Sequence, residues 1–220
     1  VKRVIVGCTD PNPVVAGRGI RLLREKGLEV VAGVLRGECE RQNEVFFHFM
    51  RTKLPFTVLK YAMTLDGKTA TVSGKSQWIT GEAARKRVHE DRGRYMAILT
   101  GVSTVLADNP QLTCRIPGGK NPIRVIADTK LRTPLSSTVV QTARETPTWI
   151  VTAVSDAGRK KAYEDAGCRV LSVPAKEGEL DLQAMMQRLG EEKVDSVMVE
   201  SGGTLAWSFL TAGLVNRVQA

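Results

Sequence analysis

Short apolar runs alternate with segments of helical spacing from residue 56 to residue 220, and this constrains the fold more than any other feature. The runs at 56–65, 97–100, 123–127, 148–151, 169–173 and 196–200 read as strands, the first closed by the turn pair Asp66-Gly67. Helical spacing falls between several of them, at 104–107, 156–166, 182–189 and 204–210. A longer helix runs to about Arg94, with Thr80 as its N-cap and Glu82 in its first turn. Strands joined through helices pair in parallel, and both faces of such a sheet must be covered. The expected fold class is therefore α/β, a mostly parallel sheet with helices on both faces.

The first fifty residues form a shorter unit of the same kind. Residues 1–8 alternate apolar and polar, Asp10-Pro11-Asn12-Pro13 is a turn, and 16–26 reads as a helix closed by Gly27. A strand at 28–35 and a helix at 38–50 follow. The polar stretch Arg51-Thr52-Lys53-Leu54-Pro55 ends in proline and marks a domain boundary, giving units at 1–50 and 51–220. The first residues read as the interior of a fold rather than as a leader, and Asn216-Arg217-Val218-Gln219-Ala220 stops inside an apparent strand. The whole reads as a segment of a longer polypeptide.

Composition narrows the function classes. No stretch approaches the roughly 18 consecutive apolar residues of a membrane helix. Four cysteines without a Cys-x-x-Cys pair, and only two histidines, leave no metal cluster and suit a reducing cytoplasm. A net charge of +9 favours anionic partners. Aromatics are only 5%, and no basic run alternates with stacking residues, so small phosphorylated ligands fit better than nucleic acid.

Three clusters carry candidate chemistry. In Val197-Met198-Val199-Glu200-Ser201-Gly202-Gly203-Thr204 an apolar strand ends on a carboxylate, two glycines follow, and a helix starts at once. Helix N-termini present unpaired N–H groups and a positive dipole end, so this turn is either a phosphate seat or a plain tight connection. It is not Gly-x-Gly-x-x-Gly, which argues against a standard dinucleotide-binding domain. In Ser76-Gln77-Trp78-Ile79-Thr80, Trp78 sits in a polar loop, where its ring either stacks on a base or nicotinamide or packs in a core. Ser76 and Thr80 also suit caps and turns. The third cluster runs from Gly101-Val102-Ser103-Thr104 to Leu112-Thr113-Cys114-Arg115. Arg115, like Arg92, has a guanidinium that matches phosphate geometry, although any one arginine is more often simply solvated.

Taken in order, Asp10-Pro11-Asn12-Pro13 with Ala16-Gly17-Arg18-Gly19, Leu65-Asp66-Gly67-Lys68, Ser76-Gln77-Trp78-Ile79-Thr80, Thr104-Val105-Leu106-Ala107-Asp108-Asn109-Pro110 and Val199-Glu200-Ser201-Gly202-Gly203 resemble the bifunctional deaminase–reductase family of riboflavin biosynthesis. Any one string is weak, but their order and spacing span essentially the whole chain. The resemblance implies that 51–220 is a dihydrofolate-reductase-like domain cut short at its C-terminus. It also implies that 1–50 is the tail of a cytidine-deaminase-like domain whose zinc-binding motifs lie upstream. The implied reaction is NADPH-dependent reduction of 5-amino-6-(5-phosphoribosylamino)uracil to its ribitylamino form, with zinc-dependent deamination only in the missing upstream part.

The same resemblance assigns residues. Ala62, Trp78, Thr104, Asp108 and Thr129 would contact NADPH. Gly202, Gly203, Thr204, Leu205, Ala206, Trp207 and Ser208 would hold its phosphates. Ser76, Arg92, Leu112, Arg115 and Glu200 would meet the phosphorylated pyrimidine, with Lys60 beside them as the candidate catalytic residue. A homodimer or tetramer in the cytoplasm, with no membrane or nucleic-acid partner, completes the expectation. The alternatives are a related pyrimidine or pterin reductase with another substrate, and a non-enzymatic nucleotide- or RNA-binding module suggested by the charge.

Overall fold

The structure, a computed structural model, describes residues 1–74, 76 and 78–220. The chain opens with β1 (Arg3–Val6), α1 (Arg18–Glu25), β2 (Glu29–Ala32), α2 (Arg36–Gln42) and α3 (Glu44–Thr52). Next come β3 (Phe56–Lys60), α4 (Glu82–Arg94), β4 (Ala97–Gly101), α5 (Val102–Asp108), β5 (Ile123–Ala127) and α6 (Thr138–Gln141). β6 (Thr148–Thr152), α7 (Ala157–Asp165), β7 (Arg169–Ser172), β8 (Ala175–Lys176) and β9 (Glu179–Leu180) follow. The last elements are α8 (Leu182–Glu191), β10 (Ser196–Glu200), α9 (Gly203–Thr211) and β11 (Arg217–Gln219).

β1 and β2 pair in parallel by themselves, and β8 and β9 make a small antiparallel hairpin. The remaining seven strands form one sheet in the order β11-β3-β10-β4-β5-β6-β7, with every pairing parallel. Side chains alternate across it with period two. Ala97, Leu99, Val125, Val151, Val197 and Val199 face one core with Met185, Met186 and Leu189 of α8 and Phe209 of α9. Ile98, Ile126 and Ile150 point the other way, against Val105 of α5, Val139 and Val140 of α6 and Tyr163 of α7. Phe56, Val58 and Met198 share that second side with Tyr95, Val45 of α3 and Val88 of α4. The expected class, a mostly parallel α/β sheet covered on both faces, is the observed one.

Three sequence expectations need correction. The helix expected at 38–50 is two helices: Asn43, at φ −113° and ψ 25°, leaves helical geometry between them, with its side chain donating to the Cys39 carbonyl (2.9 Å). The strand expected to reach Leu65 ends at Lys60, where its partner β11 also ends, and 64–68 then turns back on itself. Thr80 is not the N-cap of α4. Gly81 takes that position in an extended conformation, and the Thr80 carbonyl instead accepts from Arg85 Nη1 at 2.7 Å.

β10 is inserted between β3 and β4, yet the helices that follow β3 and β10 lie on opposite faces: Val88 of α4 packs on one core and Phe209 of α9 on the other. Such a switch opens a crevice at the carboxyl ends of the strands, the usual ligand position in an open α/β sheet.

Candidate active site

Two clefts meet at this switch. The larger, of about 1030 Å³, has Lys60 and Glu200 on its floor, register partners at the last positions of β3 and β10. α4 forms one wall and turns Glu82, Arg85, Lys86, His89 and Arg92 into it, the three- and four-residue spacing of one helix face. Ala62, Ser76 and Trp78 line the facing loop, while Arg115 and Ile116 close the far side. Cations outnumber carboxylates in this lining, which favours an anionic ligand.

Arg92 and Glu200 form a two-pronged pair. Nε donates to Oε1 and Nη2 to Oε2, both at 2.8 Å, and the side chains are only 12% and 14% exposed. The remaining Nη1 donates to the Thr113 carbonyl at 3.1 Å. Arg92 thus spends three of its five N–H donors on protein partners. A carboxylate offers about four lone-pair sites, so Glu200 keeps acceptor capacity for a ligand N–H after binding Arg92. The Trp78 ring carries the Arg85 guanidinium 4.6 Å from its centre, which leaves the opposite face for stacking.

Leu112 adopts the left-handed conformation (φ 54°) with its side chain buried in the core, and this turn sends 113–115 back across α4. There the Cys114 thiol donates to the His89 carbonyl (3.1 Å), and the Arg115 N–H donates to His89 Nδ1 (3.2 Å). Burial, then Arg92 and Arg115, push the His89 imidazole below its ordinary value, with the Thr113 carbonyl and Glu200 opposing. Burial beside Phe56 likewise lowers His48 of α3. A base whose folded value lies below its unfolded one stabilises the fold above the unfolded value, and that stability is lost as pH falls. Thermal melts followed by circular dichroism should be level above pH 6.5, the ordinary value of an imidazole, and decline below it. Replacing both histidines with glutamine should flatten the onset of that decline; an unchanged onset would assign it to other groups.

The smaller cleft, of about 190 Å³, lies at the carboxyl ends of β4, β5 and β10. Gly202, Thr204, Leu205 and Ser208 at the start of α9 face Thr104 and Thr129, with Glu179 of the hairpin accepting from Thr129 Oγ1 at 3.2 Å. Backbone geometry does not demand glycine at 202, where φ is −65°. A Cβ added at Gly202 or Gly203 would meet nothing within 4 Å. The glycines therefore leave open space before a helix N-terminus, a fit for a phosphate approaching the backbone. Among the described residues, Thr100 Oγ1 and Ser201 Oγ, beside this edge, are buried without a hydrogen-bond partner.

The residues singled out from sequence divide accordingly. Lys60, Ala62, Ser76, Trp78, Arg92, Arg115 and Glu200 line the larger cleft; Thr104, Thr129, Gly202, Thr204, Leu205 and Ser208 line the smaller. Leu112 reaches neither with its side chain, which is core. Asp108 is exposed at the end of α5, Ala206 packs on the core, and Trp207 is 67% exposed on the outside of α9. Gly203 begins α9 without lining the cleft, and Gln77 lies outside the described residues. Sequence reasoning missed Arg85, Lys86, His89 and Glu179. Helical spacing back from Arg92 would have found the first three. Among the described residues no group of three His, Cys, Asp or Glu is arranged to hold a metal ion, and no helix is long and apolar enough to cross a membrane.

An open parallel α/β sheet with a cationic cleft and a glycine-lined helix N-terminus at one topological switch defines a domain built to hold anionic, nucleotide-like ligands. Known proteins make the assignment specific. The family model for the RibD C-terminal domain matches residues 55–220, and the chain belongs to that family. It is 50% identical over 218 residues to riboflavin biosynthesis protein RibD of Actinobacillus pleuropneumoniae, covering 99% of this chain and 58% of that protein. The solved RibD of Acinetobacter baumannii superposes with a TM-score of 0.83 at 34% identity, over 99% of this chain and 60% of that one. A Thermotoga maritima structure, described as a diaminohydroxyphosphoribosylaminopyrimidine deaminase/5-amino-6-(5-phosphoribosylamino)uracil reductase, superposes with a TM-score of 0.80 at 37% identity, over 96% of this chain and 57% of that one. The chain thus spans a little under two thirds of the length of these relatives.

Proposed function

We propose that this chain carries the reductase site of a riboflavin-pathway enzyme, reducing 5-amino-6-(5-phosphoribosylamino)uracil to its ribitylamino form with NADPH. The observation that supports this best is the β10–α9 turn, which offers Glu200 to one cleft and Gly202 to the other. A substrate held by Glu200 and a cofactor whose phosphates sit at Gly202 would meet at that turn. Membership of the RibD C-terminal domain family and the description of the T. maritima structure point the same way. Residues 51–220 are then the reductase unit. Residues 1–50 are the tail of a deaminase unit, whose zinc would belong to residues outside this chain. We assign the enzyme to the cytoplasm, as a homodimer or tetramer.

In this reading the bound nicotinamide supplies a hydride to the first carbon of the opened sugar. The chain's own work is positioning. Glu200 accepts from pyrimidine N–H groups, and Arg115 meets the substrate phosphate. Arg92 acts through its hold on Glu200. Trp78 offers its uncovered face to the cofactor, and the N–H groups that open α9 take its phosphates. In this reading Lys60, which lines the floor beside Glu200, or a bound water exchanges a proton with the reacting sugar. The test is loss of reduced-nicotinamide absorbance with the phosphorylated pyrimidine, using the full-length protein. A thermal shift with NADPH but no turnover of this substrate would favour a related reductase.

Gly202→Ala separates cofactor binding from folding. Its backbone angle suits alanine, so stability should stay within about 0.5 kcal/mol. The added methyl group fills the space left for a phosphate, and losing one charge-assisted contact of about 1.5 kcal/mol should raise the KM for NADPH about tenfold. Steady-state kinetics paired with a melt would read both; an unchanged KM would move the phosphates elsewhere.

A further inference from the structure

The 113–115 segment carries Arg115, yet it has no regular secondary structure and follows a left-handed turn at Leu112. Four hydrogen bonds hold it. Cys114 N–H donates to Asn121 Oδ1 (3.0 Å), Arg92 Nη1 to the Thr113 carbonyl (3.1 Å), the Cys114 thiol to the His89 carbonyl (3.1 Å), and Arg115 N–H to His89 Nδ1 (3.2 Å). Only the last is made at Arg115 itself, and of these four it alone uses the His89 side chain, which the Thr113 carbonyl also faces.

We infer that His89 is a positioning residue of this site: as a neutral acceptor, its imidazole holds Arg115 against α4 and so sets the guanidinium at the mouth of the larger cleft. The inference rests on the reductase reading for its substrate but not for its geometry. The N–H of Arg115 can donate only to an unprotonated Nδ1, which puts the ring proton on Nε2. Protonating Nδ1 would set two donors against each other. It would also add a positive charge beside Arg92 on the same helix, Arg115 on the held segment and Lys60 on β3, against Glu200 of β10. Burial and the two arginines already favour the neutral ring. Acid should therefore release the segment and swing Arg115 away.

Two substitutions separate this role from a merely structural one. His89→Ala removes the acceptor but keeps the backbone carbonyl that anchors Cys114. His89→Gln supplies an uncharged amide oxygen in place of the imidazole. In the full-length enzyme, His89→Ala should raise the KM for the phosphorylated pyrimidine about tenfold, roughly the worth of one misplaced charged contact. It should leave kcat and the KM for NADPH nearly unchanged, and His89→Gln should restore most of the loss. Between pH 7.5 and pH 5.8 the wild-type KM should rise more steeply than that of His89→Gln. A phosphomonoester itself gains a proton near pH 6, so the difference between the two profiles carries the result.

Calorimetric binding of inorganic phosphate to the same proteins provides a readout independent of turnover. If the wild type shows no reductase activity, yet phosphate binding weakens in His89→Ala and recovers in His89→Gln, the positioning role stands and the reductase reading falls. Unchanged KM and phosphate affinity in His89→Ala would overturn the inference. So would a loss of kcat with KM intact, or identical pH profiles for the wild type and His89→Gln. Should the alanine variant fail to fold, the glutamine profile decides alone.

Discussion

Replacing Glu200 with glutamine is expected to lower kcat/KM by about 100- to 1000-fold, equivalent to roughly 2.7–4 kcal/mol of transition-state stabilisation. The carboxylate performs two tasks that an amide cannot combine. It accepts both prongs of the Arg92 guanidinium at 2.8 Å, and it presents its remaining lone pairs to the larger cleft. Glutamine keeps the shape but turns one acceptor into a donor, so one Arg92 prong meets an N–H group. Removing the charge also leaves the arginine, only 12% exposed, without its counter-ion, the arrangement that makes a broken buried pair cost about 3–5 kcal/mol. Activity and melting temperature should therefore fall together. Glu200→Asp, which keeps the charge, should recover stability before activity, because its shorter side chain withdraws from the ligand. A kcat/KM for Glu200→Gln within tenfold of wild type would remove Glu200 from the site.

Replacing Arg124 with methionine should leave a folded but weakened protein, destabilised by about 3–5 kcal/mol. Arg124, the second residue of β5, is fully buried and, among the described residues, makes no salt bridge, although the Glu145 charge favours its ionised form. It instead donates to the Gln111, Thr142 and Thr146 carbonyls and to Thr142 Oγ1, at 2.8–3.2 Å. Burial pushes its guanidinium down to about 10, so it remains charged at neutral pH and its bonds are charge-assisted. These bonds tie the stretch before Leu112 and the end of α6 to the middle of the sheet. Methionine matches the bulk but removes four charge-assisted bonds: the Thr142 carbonyl keeps the Glu145 and Thr146 N–H groups and the Thr146 carbonyl keeps Thr148 Oγ1, while the Gln111 carbonyl loses its Arg124 donor. At roughly 2–4 °C per kcal/mol for a chain of this size, the melting temperature should drop by about 10 °C. Since 111–115 leads into the larger cleft, the KM for the pyrimidine should rise as well. A melting shift below about 2 °C would mean that the Arg124 bonds add little net stability.

Strands β5 and β10 match the sequence reading residue for residue, because a strand buried on both faces is a nearly unbroken apolar run with clear ends. α4 was found through its length and position rather than any apolar stripe. Of its thirteen residues only Asp91 is buried, while Val88 is half-buried, since most of one face lines a cleft. The four-residue helix α6 and the two-residue strands β8 and β9 are too short to leave a periodic signal. The Glu200 carboxylate and the glycine turn were legible because strand, turn and helix N-terminus are contiguous in the chain. Lys86 and His89 could have been reached only by helical spacing from Arg92, and Glu179 not at all, because nothing local marks a lone polar side chain as facing a cleft rather than water.

The alternation of apolar runs with helical segments determined by itself that this chain forms a parallel α/β sheet. It also put Glu200, Gly202 and Gly203 at the carboxyl edge, where ligands bind. The order of the strings from Asp10 to Gly203 was enough to mark the family resemblance. Only the tertiary structure decided that β10 inserts between β3 and β4, splitting the edge into two clefts that share one turn. It alone paired Glu200 with an arginine 108 residues away, and turned Leu112 into the core so that Arg115 comes to rest on His89. Helix and strand periods are local properties of the chain, readable residue by residue. Which side chains meet across a crossover depends on strand order and helix face, and those are settled only when the whole sheet packs.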